Sequence, residues 1–144
     1  MSLEIHHRQK EEIEILDLKG CLTMGNEDLV FREEFKRVVE AKMYKVILNL
    51  RDVSVIDSAA VGTLVFAHTR LANLGGRLAI LYPQLSHLEL FVLLKLELFF
   101  DVYDDEIDAV NSFFPDRVVT RFDLLTMIEK LAPKRGSSES HSRT

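Results

Sequence analysis

The chain has 144 residues, of which 47% are hydrophobic and 28% charged, and its formal net charge is −5. This composition is typical of one globular domain and excludes a fibrous or wholly disordered chain. The acidic balance argues against direct nucleic-acid binding, and no apolar run approaches the roughly 20 residues of a membrane span. A single cysteine excludes an intrachain disulfide. We therefore expect a soluble, cytoplasmic protein.

The N-terminal part predicts two strands and a helix. Leu3–Ile5 and Ile13–Leu18 are short apolar segments, and the second alternates with polar residues, as a half-buried strand does. The polar residues 7–12 between them predict a loose hairpin connection. Gly25 and Asn26 offer the N-cap of a helix that runs to about residue 42, and Asn26 suits this position because an Asn side chain accepts hydrogen bonds from the free N–H groups of a first turn.

The middle of the chain predicts a strand, a helix and a further strand. Val46–Leu50 is a nearly continuous apolar run, which indicates a strand buried on both faces of a mainly parallel sheet. An apolar helix follows from Ser58 to about residue 74. Gly75 and Gly76 end it, as expected of glycines at a helix C-terminus, and Leu78–Tyr82 predicts the next strand.

Two more helices and a brief strand complete the predicted domain. Helices are expected over residues 86–98 and 105–113, with a short strand at Val102 and Tyr103 between them. The resulting order, ββαβαβαβα, predicts an α/β fold with a mixed, mainly parallel sheet of about five strands and about four helices.

The C-terminal part predicts an addition to this unit. Apolar residues recur at helical spacing from Val118 to Leu131, which predicts one extra helix. The last eleven residues lack apolar side chains and are expected to be disordered. The predicted organisation is therefore a domain over residues 1–115, a helical extension over 116–133 and a tail over 134–144.

Asp57 and Ser58 stand where a buried strand and its connection give way to an apolar helix. Both residue types are favoured as N-caps, so the simplest interpretation is structural. The same position also places the Ser58 hydroxyl among free N–H groups at the positive end of the helix dipole, where a phosphate is tolerated. A phosphate would add about −1.5 to −2 charges, which a partner covering this corner would have to desolvate. Ser58 is therefore a candidate switch.

The segment Val46–Gly62, VILNLRDVSVIDSAAVG, resembles the core motif of the STAS domain, the fold of bacterial anti-sigma factor antagonists. Gly75–Pro83 is similar to the next helix end and strand of that family, and Leu98–Ala109 to its closing segment. The resemblance covers Leu3 to Phe114. Ala59 and Ala60 stand where the family often has a glycine, so Gly62 is expected to serve close packing.

This resemblance implies a phosphorylation-switched binding module rather than an enzyme. Ser58 would be the phosphoacceptor, and the partner-binding residues would be Asn26, Asp57, Ser58 and Ala59. The implied partner is an anti-sigma factor that is also a serine kinase of the GHKL type. The unphosphorylated protein would sequester it and so regulate transcription, and a phosphatase would reverse the modification. A homodimer is compatible with the family, and no cofactor is implied.

Two other functions remain open. In a STAS scaffold or transport-accessory subunit, Ser58 would be only a cap, and the extra helix with the pairs Phe99-Phe100 and Phe113-Phe114 would form a constant interface. A small-ligand or nucleotide-sensing domain is the third function and is supported by the fold alone. No metal site is expected, because the adjacent His6 and His7 would point to opposite faces of a strand.

Overall fold

The structure, a computed structural model, describes residues 2–121 and 123–132, so the predicted disordered tail over residues 134–144 lies outside the described residues. The predicted order of strands and helices is confirmed. The elements are β1 (Leu3–Lys10), β2 (Ile13–Leu22), α1 (Asn26–Glu40), β3 (Lys45–Ile56), α2 (Ser58–Asn73), β4 (Arg77–Leu81), α3 (Leu85–Leu93), β5 (Asp101–Tyr103), α4 (Glu106–Asn111) and α5 (Leu124–Leu131).

The five strands form one sheet in the order β1-β2-β3-β4-β5, which follows the order of the chain. β1 pairs antiparallel with β2, and each of the other neighbouring pairs is parallel. The mixed, mainly parallel sheet is therefore confirmed. Ile47 and Leu48 are neighbours in β3, and both are fully buried although they point to opposite faces. This explains the unbroken apolar run in the sequence.

Three predicted boundaries are wrong, each for a local reason. The predicted loop over residues 7–12 is instead mostly strand: β1 reaches Lys10, and only Glu11 and Glu12, both with positive φ, form the turn. The polar side chains of this edge strand resemble loop residues because most of them face solvent. β3 likewise continues to Ile56, through the predicted connection. The helix predicted over residues 86–98 ends at Leu93.

The two faces of the sheet carry hydrophobic cores of unequal size. The larger core lies against α1, α2, α3 and α5, and its buried side chains include Phe31, Leu48, Leu64, Phe91 and Met127. The smaller core lies on the opposite face beside α4 and includes Ile15, Ile47, Leu81, Ala109 and Val110. Phe100 belongs to the larger core with Phe99 packed against it, while Phe113 and Phe114 pack against the smaller one. The Phe pairs therefore serve packing in this chain.

The C-terminal helix is shorter than the apolar pattern predicted. Asp123 caps α5, and its carboxylate accepts a backbone N–H of the first turn at 2.7 Å. Val118 lies before this cap and is 93% exposed, whereas Leu124 and Met127 are buried in the larger core. Within the described parts of the chain, no helix is both long enough and apolar enough to cross a membrane.

Candidate functional site

The candidate site lies at the edge of the sheet where the parallel strands β2 and β3 both end. Leu22 pairs with Ile56 in the last position of the two strands. The backbone N–H of Asp57 then donates to the carbonyl oxygen of Leu22 at 3.3 Å. The connection that leads into α1 therefore lies beside the start of α2, and residues far apart in the sequence share one corner of the molecule.

Asp57 fixes this corner with both of its carboxylate oxygens. It is the N-cap of α2, and Oδ1 accepts the N–H of Ala60 at 2.8 Å. Oδ2 accepts the N–H of Met24 at 2.9 Å, from the connection between β2 and α1. The N-cap predicted at this position is confirmed and belongs to Asp57. Its carboxylate joins the first turn of α2 to the connection before α1 and so positions both segments.

Ser58 is the first residue of α2 and is exposed. Its hydroxyl makes no hydrogen bond with any residue that the structure describes. The N–H groups of a first helical turn have no acceptor within the helix, and Asp57 already accepts that of Ala60, so the N–H groups of Ser58 and Ala59 are the free donors near this hydroxyl. The structure therefore places an accessible hydroxyl at the positive end of a helix of 16 residues.

Gly62 does not serve the close packing that the sequence predicted. It is exposed, and a Cβ atom built at this position would meet nothing within 4 Å. It follows Ser58 by four residues and therefore lies on the same face of α2. The glycine leaves the helix surface next to the hydroxyl flat, so that another protein could approach it closely.

Exposed apolar side chains accompany Ser58 at this corner. Met24 is 71% exposed and Val55 is 43% exposed, while Ala59 is also exposed. We define the docking face as Met24, Val55, Ser58, Ala59 and Gly62. The sequence analysis missed Met24 and Val55, because apolar residues next to strand ends are usually buried. Regular alternation along β3 would place Val55 on the same face as the buried Val53, so the sequence pattern gives no signal for the exposure of Val55.

Asn26 does not cap α1, contrary to the prediction. The N-cap is Gly25, whose φ of 104° favours glycine, and no side chain makes a capping hydrogen bond there. Asn26 is instead the exposed first residue of the helix. It remains at the same corner, two residues after Met24, whose N–H is bound to Asp57.

A polar network braces α1 against α2 beside the docking face. The Thr63 hydroxyl donates to Asp28 at 2.5 Å, and Arg32 donates to both of these side chains at 2.9 Å. Thr63 is buried, so this network links the interior to the surface. It holds the starts of the two helices in a fixed relation.

The start of α3 supports the end of β3 in a similar way. The Gln84 side-chain amide donates to the carbonyl oxygens of Arg51 and Val53, each at 2.8 Å. His87 Nδ1 accepts the backbone N–H of Gln84 at 3.0 Å. Burial lowers the pKa of His87, and this effect is larger than the opposing one of the Val53 carbonyl, which raises the pKa. The imidazole is therefore neutral at pH 7 and acts as an acceptor that holds the segment leading to Val55.

Comparison with known proteins identifies one family and several solved structures with a similar fold. The model of the STAS domain matches residues 4–109, while no curated protein matches the chain. A Thermotoga maritima protein described as a candidate anti-sigma factor antagonist superposes with a TM-score of 0.70 at 23% identity, covering 76% of this chain and 93% of its own. The anti-sigma factor antagonist SpoIIAA in its unphosphorylated form superposes with a TM-score of 0.61 at 19% identity, covering 76% of this chain and 96% of its own. The phosphorylated form of Bacillus SpoIIAA superposes with a TM-score of 0.58 at 21% identity, covering 74% of this chain and 99% of its own.

Proposed function

This chain belongs to the STAS domain family, and we propose that it is an anti-sigma factor antagonist whose binding is switched by phosphorylation of Ser58. The observation that carries the proposal is the exposed, unbonded hydroxyl at the start of α2. The surrounding docking face is largely apolar and exposed, as expected of a surface that a protein partner covers.

The local geometry supports a modification that spares the fold. A phosphate on Ser58 would meet the free N–H groups of the first turn and the positive end of the helix dipole. The neighbouring Asp57 carboxylate already accepts two backbone N–H groups, which disperse part of its charge. The added charge therefore has favourable contacts in the free protein, and little loss of stability follows.

The same charge is unfavourable once a partner covers the docking face. A phosphate beside Asp57 concentrates about −1.5 to −2 charges next to an existing carboxylate, and docking would remove their water. Like-charge juxtaposition at an interface costs several kcal/mol, and each 1.4 kcal/mol changes affinity about tenfold. One phosphate therefore accounts for a large loss of binding without any change in the fold.

The structural neighbours support this proposal by analogy. SpoIIAA is known in both an unphosphorylated and a phosphorylated form and is an anti-sigma factor antagonist. In the proposed cycle, the unphosphorylated chain sequesters an anti-sigma factor that is a serine kinase of the GHKL type. A sigma factor is thereby released, the kinase phosphorylates Ser58 and dissociates, and a phosphatase restores the first state.

The direct test is phosphorylation by a candidate anti-sigma kinase and ATP, with the site mapped by mass spectrometry. We expect one phosphate on Ser58 and none in Ser58→Ala. Ser86→Ala is the matched control, because Ser86 is another exposed serine in the first turn of a helix. Phosphate on Ser86, or full modification of Ser58→Ala, would remove Ser58 from the mechanism. A stable complex indifferent to Ser58→Asp would instead favour a constitutive scaffold.

A further inference from the structure

A groove with a cavity volume of about 360 Å³ lies between α1 and α2. Its apolar lining consists of Phe31, Phe35 and Val39 from α1 with Phe66 and Ala67 from α2. The Phe31 and Phe35 rings stack at 6.2 Å.

Phe66 shows that this groove lacks a cover. Its side chain is 52% exposed, although the residues beneath it, Phe31 and Ala67, are fully buried. The Arg32 guanidinium lies over its ring, 5.9 Å from the ring centre. A large aromatic side chain at the edge of an apolar concavity is typical of a site that gains contacts when a ligand binds.

The rim of the groove is positively charged in a chain whose net charge is −5. It carries Arg32, Lys36 and Arg70 against one acidic residue, Glu40. Arg32 is occupied by Asp28 and Thr63. The side chains of Lys36 and Arg70 have no partner within residues 2–121 and 123–132. Two unpaired cations therefore stand over an apolar surface, on opposite helices.

We propose that this groove binds an amphiphilic organic anion, an apolar chain or ring system that carries one carboxylate, sulfonate or phosphate group. The apolar part would cover Phe66 and the partly buried Val39, and the anionic group would lie between Lys36 and Arg70. The volume falls within the range of about 300–1,000 Å³ for small-ligand pockets. From Arg32 to Glu40 the groove follows α1 for about 12 Å, so a short chain fits its length.

This site is separate from the phosphorylation site. The groove begins at Thr63, more than one helical turn beyond Ser58, and shares no residue with the docking face. Ligand binding and partner binding can therefore be tested on the same protein with different variants. Failure of one proposal leaves the other unaffected.

The test is isothermal titration calorimetry of the full chain with decanoate below its micelle concentration, and with decanol as the uncharged counterpart. We expect decanoate to bind and the double variant Lys36→Gln/Arg70→Gln to bind it at least tenfold more weakly. Decanol should bind both proteins equally. Lys19→Gln/Lys95→Gln removes two exposed cations outside the groove and is the matched control, with unchanged affinity. Phe66→Ser should weaken the binding of both ligands.

Absence of decanoate binding to the wild-type chain would overturn the proposal, and so would equal affinity of the two double variants. The competing possibility is that a helix of a protein partner occupies the groove. An amphipathic helical peptide with leucine on one face and glutamate on the other tests it. Binding of this peptide without binding of decanoate would make the groove a protein-docking surface and would also overturn the proposal. The charge variants lie at the surface, and retained thermal unfolding of each protein confirms that it is folded.

Discussion

The two ends of α2 differ in how tightly the rest of the molecule holds them. At the C-terminal end, Gly75 has a φ of 81°, and the N–H of Gly76 donates to the Leu71 carbonyl oxygen at 2.8 Å. A Cβ atom on Gly76 would overlap the carbonyl oxygen of Tyr44. At the N-terminal end, Ser58 is exposed, and its hydroxyl bonds to no residue in the described part of the chain.

This contrast would allow one helix to serve stability at one end and the proposed regulation at the other. At the closed end, the backbone of Gly76 lies against that of Tyr44, so a side chain at position 76 would force the backbone to move. At the open end, the Asp57 carboxylate caps the helix and leaves the next residue exposed. A covalent change at the open end therefore alters the surface without disturbing the anchor at the other end.

Gly76→Ala should have the largest effect on stability. The added methyl group would collide with the carbonyl oxygen of Tyr44 and with its Cβ atom, and backbone cannot move aside as a side chain can. We expect a loss of about 3 kcal/mol in the free energy of unfolding. Urea unfolding followed by circular dichroism measures it. A loss no larger than that of an ordinary surface substitution would contradict the close approach.

The sequence predicted those features of the fold that depend on local signals. The Gly75-Gly76 stop, the apolar run of β3 and the order of elements were all correct, because turn residues and periodicity are short-range. The length of β1 was wrong, because polar side chains of an edge strand look the same as loop residues. The position of a strand in the sheet, rather than its own residues, decides this difference.

The site shows the same division. Asp57 and Ser58 were identified from a motif that occupies two adjacent positions. Gly62 was wrongly assigned to packing, because only the surrounding structure shows that space beside it is open. The exposure of Met24 and the groove beneath Phe66 also depend on contacts between distant segments. No local pattern in a single sequence contains that information.

Asp57→Ala should have the next largest effect, because it removes the cap that joins the start of α2 to the connection before α1. The hydrogen bonds to the N–H groups of Ala60 and Met24 would both be lost. We expect a loss of about 1–2 kcal/mol, as for the removal of an N-cap. Hydrogen exchange at these two amides should also become faster. Asp57→Asn keeps one side-chain acceptor and should lose less stability. Equal stability of Asp57→Ala and the wild type would show that these two hydrogen bonds do not hold the start of α2.

Gly62→Ala should have a smaller effect of opposite sign. The new methyl group meets open space, and alanine is about 0.5–1 kcal/mol more favourable than glycine within a helix. We expect a gain of this size in urea unfolding, beside the loss in Gly76→Ala. The two variants carry the same chemical change at different positions. A loss of stability in Gly62→Ala would contradict the open space beside Gly62 and would mean that this face of α2 is packed against another part of the chain.

The smallest effects on stability are expected when one negative charge is placed at either end of α2. Ser58→Asp adds it at the positive end of the dipole, where carboxylates contribute about 0.3–1 kcal/mol, although the nearby Asp57 offsets part of this gain. Asn73→Asp adds the same charge at the exposed last residue, where the dipole is unfavourable. Thermal unfolding should show a slightly higher midpoint for Ser58→Asp than for Asn73→Asp.

Binding should separate these two variants far more than stability does. If the docking face binds the anti-sigma kinase, Ser58→Asp should weaken the complex at least tenfold in calorimetry, because its carboxylate must be desolvated beside Asp57. Asn73→Asp carries an identical net charge at the far end of the helix and should bind as the wild type does. Equal weakening by both variants would show that the partner responds to overall charge, and the open end of α2 would then have no special role.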